Sequence, residues 1–200
     1  MATTVGTVVL PNPVLTASGT SGYGAELGAY VDLASLGAVV VKSLSPEPWA
    51  GNAAPRLHET PAGMLNSVGL QNVGIPAWLV DHLPALRRVG ARVVASIWGF
   101  DVAAYARAAE LLADAGPEVV AVEVNLSCPN LGGDHRLFAH SAEDTATVVR
   151  ATAACNRPRW AKLSPNVTDV TEIAGAALQA GAEAVTLVNT VMGMAIGPDG

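Results

Sequence analysis

Val119-Val120-Ala121-Val122-Glu123-Val124-Asn125 runs straight into Leu126-Ser127-Cys128-Pro129-Asn130. The first seven residues are an apolar, valine-rich run broken only by Glu123, the composition of a strand covered on both faces. The run stops at Asn125. Pro129 then fixes its own φ and biases Cys128 toward an extended backbone. A buried strand that ends by presenting Asn, Ser, Cys and Asn reads as one rim of a ligand site.

Four more runs share this build. Residues 38–41 are closed by Lys42 and Ser43, and residues 92–97 by Trp98-Gly99. Residues 159–163 carry Lys162, and residues 184–188 end at Asn189-Thr190. Helical stretches lie between them. Residues 24–35 have helical spacing and stop at Gly37, and a helix from Pro76 to about Arg88 bends at Pro84. Asp101 caps a helix that stops at Gly116, and Ser141 with Asp144 marks another, ending around Cys155. A fifth covers 168–180 and stops at Gly181. Residues 5–14 read as a hairpin around Pro11-Asn12-Pro13. Residues 44–75 form a long excursion, too apolar for a linker, and read as an ordered loop lying over the site.

Strands alternating with helices predict a parallel sheet. Polar residues close strands one, three, four and five, the end at which a (β/α)8 TIM barrel holds its active site. A doubly wound sheet would carry a Gly-x-Gly-x-x-Gly turn after its first strand, and this chain has none. A complete barrel takes about 250 residues. The expectation is a single α/β domain over 1–200, an incomplete TIM barrel of about five βα units truncated at the C-terminus.

Half of the 200 residues are hydrophobic and 14% are charged, so much of the chain is expected to be buried. A net charge of -6 offers no footprint for nucleic acid. No apolar run approaches the ~20 residues that span a bilayer, and residues 1–13 lack a signal-peptide pattern. Cys128 and Cys155 form no metal-ligand spacing, and the histidines (His58, His82, His135, His140) read as surface or loop residues. The expected setting is cytoplasmic, without metal or membrane.

Lys42 and Lys162 are the chain's two lysines, against nine arginines, and both end apolar runs. A cation there is expensive unless it meets negative charge or acceptors. The pair points to an anionic ligand or an electron-rich cofactor edge; the plainer alternative is a lysine reaching an internal carboxylate such as Glu123. Asn66, Asn125, Asn130 and Asn189 stand at loop tips and strand ends, where amides can line a planar ring of alternating donors and acceptors. Turn capping is the plainer role and accounts for Asn12, Asn52 and Asn156. Cys128, on a loop beside the site, has a thiol titrating near ~8.5 when unperturbed and is a candidate nucleophile or base. Cys155 reads as a core residue, and Trp98 as packing at the barrel mouth.

Four segments, N-L-S-C-P-N at 125–130, L-N-S-V-G-L-Q-N at 65–72, A-K-L-S-P-N-V-T-D at 161–169 and V-N-T-V-M-G at 188–193, together resemble class 1 dihydroorotate dehydrogenase. The Gly-Leu-Gln-Asn form of the second resembles the class 1B branch. That resemblance implies a flavin-containing barrel oxidising dihydroorotate to orotate in pyrimidine biosynthesis. It implies Cys128 as the base that takes the C5 proton, with hydride passing from C6 to FMN. Lys42, Asn66, Ser67, Val68, Gly69, Leu70, Asn125, Asn130, Asn189 and Thr190 would hold the substrate. Ser18, Lys42, Ser43, Ser96, Asn125, Lys162 and Val188 would contact FMN, with Lys162 at the N1/O2 edge. It further implies a homodimer and an iron–sulfur, FAD-containing partner subunit that passes electrons to NAD.

Two positions depart from the family pattern: relatives commonly have Asn where Ser96 stands, and a small residue where Trp98 stands. The family's phosphate-binding glycine loops follow later strands than these five. The rival readings are the flavin domain of dihydropyrimidine dehydrogenase, whose relatives usually carry His where Asn130 stands, a Schiff-base lyase using Lys162, and an inactive truncated barrel fragment.

Overall fold

The computed structural model describes residues 1–128 and 137–196. Strands β1 (Thr3–Val5) and β2 (Val8–Leu10) pair antiparallel. The hairpin was expected around the 11–13 prolines, but the chain reverses earlier, at Gly6-Thr7. Gly6 takes φ +58, open to a residue without Cβ. Thr7 is then tied to the Glu183 carboxylate through its N–H at 2.8 Å and its hydroxyl at 2.5 Å. A second expectation also fails. Residues 24–35 form two short 3-10 turns, Ala25–Ala29 and Leu33–Ser35, and no continuous helix. The Asp32 carboxylate accepts from the Ala34 N–H at 3.0 Å, capping a new turn where the helical ladder would have to continue.

Beyond these turns come β3 (Val39–Val40) and an antiparallel hairpin of β4 (Leu57–Thr60) and β5 (Gly63–Asn66) inside the long excursion. Helix α1 (Ile75–Ala77) passes through a π-helical turn, Trp78–His82, into α2 (Leu83–Arg88). Pro84 has no N–H for the α ladder, so the widened turn falls where the sequence predicts a bend. The remaining units follow as expected within a few residues: β6 (Val93–Ile97), α3 (Val102–Leu112), β7 (Val119–Asn125), α4 (Ala142–Ala151), β8 (Arg159–Lys162), α5 (Val170–Gln179) and β9 (Ala184–Thr186). Asp101, Ser141 and Asp169 cap the three long helices, accepting from the N–H groups of Ala104, Asp144 and Thr171.

The sheet order is β3-β6-β7-β8-β9, every pairing parallel, so spatial order repeats chain order. With a helix-bearing crossover between each pair, this is a curled part of a (β/α) barrel. Among the described residues, β3 and β9 each have a strand neighbour on one side only. Side chains alternate along each strand. Val39, Val93, Ala95, Ile97, Val122, Val124 and Ala161 face outward and pack with Leu86, Leu112, Val148 and Ile173 of the helices. Each such side chain contributes roughly 1.5–3 kcal/mol on burial. Val40, Val94, Ala121 and Trp160 face inward and are covered by Val8 and Leu10 of the N-terminal hairpin. No helix among the described residues is long and apolar enough to cross a membrane.

Candidate active site

The inward row of β7 reads Ala121, Glu123, Asn125; that of β8 reads Trp160, Lys162. Period-two alternation therefore carries apolar residues at the strand starts and polar ones at the strand ends. Asn125 and Lys162 are register partners on these neighbouring strands. Lys42, two residues past β3, and Asn189, three past β9, complete the rim.

These residues surround a cavity of about 650 Å³, within the range of small-molecule sites. Ser18, Lys42, Ser43, Asn66, Ser67, Val68, Gly69, Leu70, Asn125, Lys162, Asn189 and Thr190 all line it. A second cavity of about 360 Å³ reaches inward between β7, β8 and β9; Glu123, Thr186 and Val188 line it, and Ser18 and Lys162 border both. Ser96 lies behind the wall, fully buried, with its hydroxyl 2.9 Å from that of Ser43. Asn130 and His135 lie outside the described residues.

Hydrogen bonds fix the rim. Asn125 donates to the Ser43 hydroxyl (3.3 Å) and accepts from Asn189 Nδ2 (3.0 Å) and the Ser127 N–H (3.2 Å). Ser43 in turn meets Ser18 at 3.0 Å. Asn166 holds the far side, donating to the Thr190 carbonyl (3.4 Å) and accepting from the Met192 N–H (3.0 Å).

The excursion is ordered, as its composition predicts. Asn52 was expected to cap a turn; instead its amide reaches across to Ser67, at 3.0 Å to the carbonyl and 2.8 Å to the hydroxyl. Trp49 Nε1 donates to the Gly69 carbonyl at 3.0 Å. Asn72, buried, accepts from the Ser45 and Gly74 N–H groups and donates to the Leu70 carbonyl. Gly69 itself has φ +72, and a Cβ there would lie 2.6 Å from Asn52, so only glycine lets the loop pass this close.

Burial lowers the Lys42 pKa; Cys128 opposes the shift and the like charge of Lys162 reinforces it. The two lysines thus sense one another across the cavity. Lys162 is 7% exposed, and among the described residues its ammonium has neither a hydrogen bond nor an ion pair. The expected alternative, a lysine neutralised by Glu123, holds only at longer range: Lys162 draws the Glu123 carboxyl downward, while burial, the larger effect, pushes it up.

Cys128 is fully buried and, unlike its neighbour Ser127, is not among the residues that line the cavity. Burial pushes its thiol up to about 12, against the neighbouring Tyr105 hydroxyl and the charge of Lys42. Tyr105, also fully buried, donates to the Asn125 carbonyl at 2.5 Å, and its ring meets Phe138 edge-on at 5.5 Å. Burial and then Cys128 raise the Tyr105 hydroxyl well above its usual range. The sequence reading missed Tyr105, Asn52, Asn166 and Thr186. Asn166 follows Pro165 just past the end of β8, where polar groups mark the rim; Tyr105, on an amphipathic helix, looks like any core aromatic.

Cys155 is buried in the core, and Trp98 packs against Trp49 and Phe100, both as expected. His58 and His140 are exposed, while His82 is half-buried against Tyr23. Among the described residues no group of three His, Cys, Asp or Glu is placed to hold a metal.

The family model for dihydroorotate dehydrogenase matches residues 1–198. The chain is 49% identical over 197 residues to the catalytic subunit of dihydroorotate dehydrogenase B (NAD(+)) of Trichlorobacter lovleyi, covering 98% of this chain and 64% of that protein. It is 50% identical over 196 residues to the same subunit of Desulforudis audaxviator, again 98% and 64%. It thus spans somewhat under two thirds of these relatives. A crystal structure of Eimeria tenella dihydroorotate dehydrogenase with ferulenol superposes with a TM-score of 0.74 at 19% identity, covering 97% of this chain and 60% of that one; at such identity the likeness concerns the fold alone. The match along the whole chain and the identity near one half place it: the chain belongs to the dihydroorotate dehydrogenase family.

Proposed function

We propose that the protein containing this chain oxidises dihydroorotate to orotate with a flavin, FMN, in pyrimidine biosynthesis. The observation that carries the reading is the convergence of two lysines and three amides, Lys42, Lys162, Asn66, Asn125 and Asn189, on one cavity. Five separate segments of sequence supply them.

The residues present fit a flavin. Lys162 is a buried cation without a protein partner among the described residues, at the junction of the two cavities, and such a cation needs an electron-rich neighbour. Ser18, Lys42, Ser43, Asn125, Lys162 and Val188 would hold the group, with Ser96 supporting Ser43 from behind. Bound FMN would supply the hydride acceptor.

The chain's own residues do the rest. Asn66, Asn125, Asn189 and Thr190, with the backbone of Ser67, Val68, Gly69 and Leu70, offer alternating donors and acceptors to a planar ring and its carboxylate. Asn130 joins this set by resemblance. Lys42 supplies positive charge on the same wall. Cys128 takes the C5 proton onto sulfur; Tyr105 and Lys42 lower the cost of the thiolate that must exist first.

The relatives' designation as catalytic subunits supports an electron-transfer partner subunit, and their NAD(+) designation supports NAD as final acceptor. A homodimer in the cytoplasm completes the reading. The same designations weigh against a dihydropyrimidine dehydrogenase-like role. Protein expressed from the complete gene should form orotate from dihydroorotate in the presence of an artificial electron acceptor. Flavin-loaded protein that forms none would refute the assignment and leave the inactive-fragment reading standing.

A further inference from the structure

The proposed reaction leaves one buried charge without a task. Glu123 sits on the inward face of β7 and is 2% exposed. A carboxylate so placed costs several kcal/mol unless its oxygens are partnered. Both are: Oε1 accepts from the Ser96 hydroxyl at 3.1 Å and Oε2 from the Thr186 hydroxyl at 3.0 Å. Donors arriving at both oxygens suit the ionised form, which can only accept. Ser96 is anchored in turn by Ser43, at 2.9 Å, so the carboxylate is clamped between β6 and β9.

Its placement relative to Lys162 matters more. Glu123 and Lys162 line the same inner cavity, from adjacent strands, yet do not close into an ion pair. A contact pair would consume the lysine's charge. A carboxylate held back by two hydroxyls leaves the ammonium facing the cavity and subtracts from its field at a distance, in a region where charges are weakly screened.

We propose that Glu123 acts through Lys162 to set the reduction potential of the bound flavin. The inference rests on the proposed flavin site. A reduced flavin carrying negative charge is stabilised by Lys162 and destabilised by a fixed carboxylate behind it. Glu123 therefore holds the potential below the value that Lys162 alone would give, keeping the reduced flavin able to pass its electrons on.

The test is the flavin's two-electron potential, titrated against a reference dye in protein from the complete gene. Glu123→Gln keeps the shape and one acceptor while removing the charge. It should raise the ratio of reduced to oxidised flavin at fixed poise about tenfold, about 30 mV for a two-electron couple. Glu123→Asp keeps the charge and should stay near the parent value. Thr186→Val removes one donor that favours the ionised form, and should shift the potential the same way by less; it serves if Glu123→Gln does not fold. Flavin that is still reduced by dihydroorotate, with an unchanged potential in Glu123→Gln (or in Thr186→Val, should that variant stand in), overturns the role of Glu123 and spares the proposed function. An equal rise in Glu123→Asp overturns it too. Protein that binds no flavin overturns both.

Discussion

Asn189 donates through Nδ2 to Oδ1 of Asn125 at 3.0 Å, across 64 residues of sequence and over the top of the strand between them. The bond ties the end of β7 to the segment after β9 and fixes which way the Asn125 amide points. Its NH2 then faces Ser43 and its oxygen faces Asn189 and the Ser127 N–H. Asn125→Ala removes all three contacts and leaves the half-buried Ser127 N–H and Asn189 amide without that partner. It should cost about 1–3 kcal/mol of stability per orphaned group in denaturant titration, and weaken flavin retention on gel filtration. Full stability and full flavin content would show that the amide is not the keystone of this rim.

Cys128 gives a pH dependence with a definite sign. Burial pushes the thiol up to about 12, so the base form is scarce at neutral pH. Flavin reduction by dihydroorotate should rise with pH, approaching tenfold per unit while the thiol remains mostly protonated. In Cys128→Ala that slope should vanish, with flavin colour kept and the rate down by about 10²–10⁴. Stability runs the opposite way. A thiol whose folded pKa lies above its unfolded one contributes stability that is present below the ordinary thiol range and lost as pH rises toward about 12. The unfolding midpoint should therefore fall at alkaline pH less steeply in Cys128→Ala than in the parent.

Tyr105→Phe keeps the ring against Phe138 and deletes the hydroxyl. The Asn125 carbonyl loses its 2.5 Å donor and the Cys128 thiol loses a partner that lowers its pKa. The rate profile should move to higher pH, and stability should drop by about 1–3 kcal/mol. A profile that stays in place while stability falls would make Tyr105 purely structural.

Gly69→Ala asks whether the excursion is part of the site. The backbone there is at φ +72 and a Cβ would collide with Asn52. Left-handed backbone costs an alanine roughly 1–2 kcal/mol, about tenfold if it appears as weakened substrate binding. KM for dihydroorotate should rise while flavin content holds; an unchanged KM would remove this loop from substrate binding.

Much of this was legible in the chain. Apolar runs at 38–41, 92–97, 119–125, 159–163 and 184–188 located all five sheet strands, because a strand covered on both faces has little choice of composition. The caps Asp101 and Ser141 were readable for the same local reason. The rim residues were readable because polar groups ending buried runs are costly without a purpose. Contacts that depend on distant partners were not readable. Residues 24–35 have helical spacing, yet the Asp32 side chain supplies a competing turn. Nothing in the sequence brings Glu183 to Thr7, Asn52 to Ser67 or Tyr105 to the Asn125 carbonyl, since each bond follows from how the barrel units stack.

The most direct measurement is anaerobic mixing of dihydroorotate with flavin-loaded protein from the complete gene, following the visible flavin band in a single turnover. The band should bleach in the parent, with orotate formed one for one, and bleach about 10²–10⁴ times more slowly in Cys128→Ala. A parent band that dihydroorotate leaves untouched, or equal bleaching in the two proteins, would contradict the assignment of this cavity and of Cys128 to dihydroorotate oxidation.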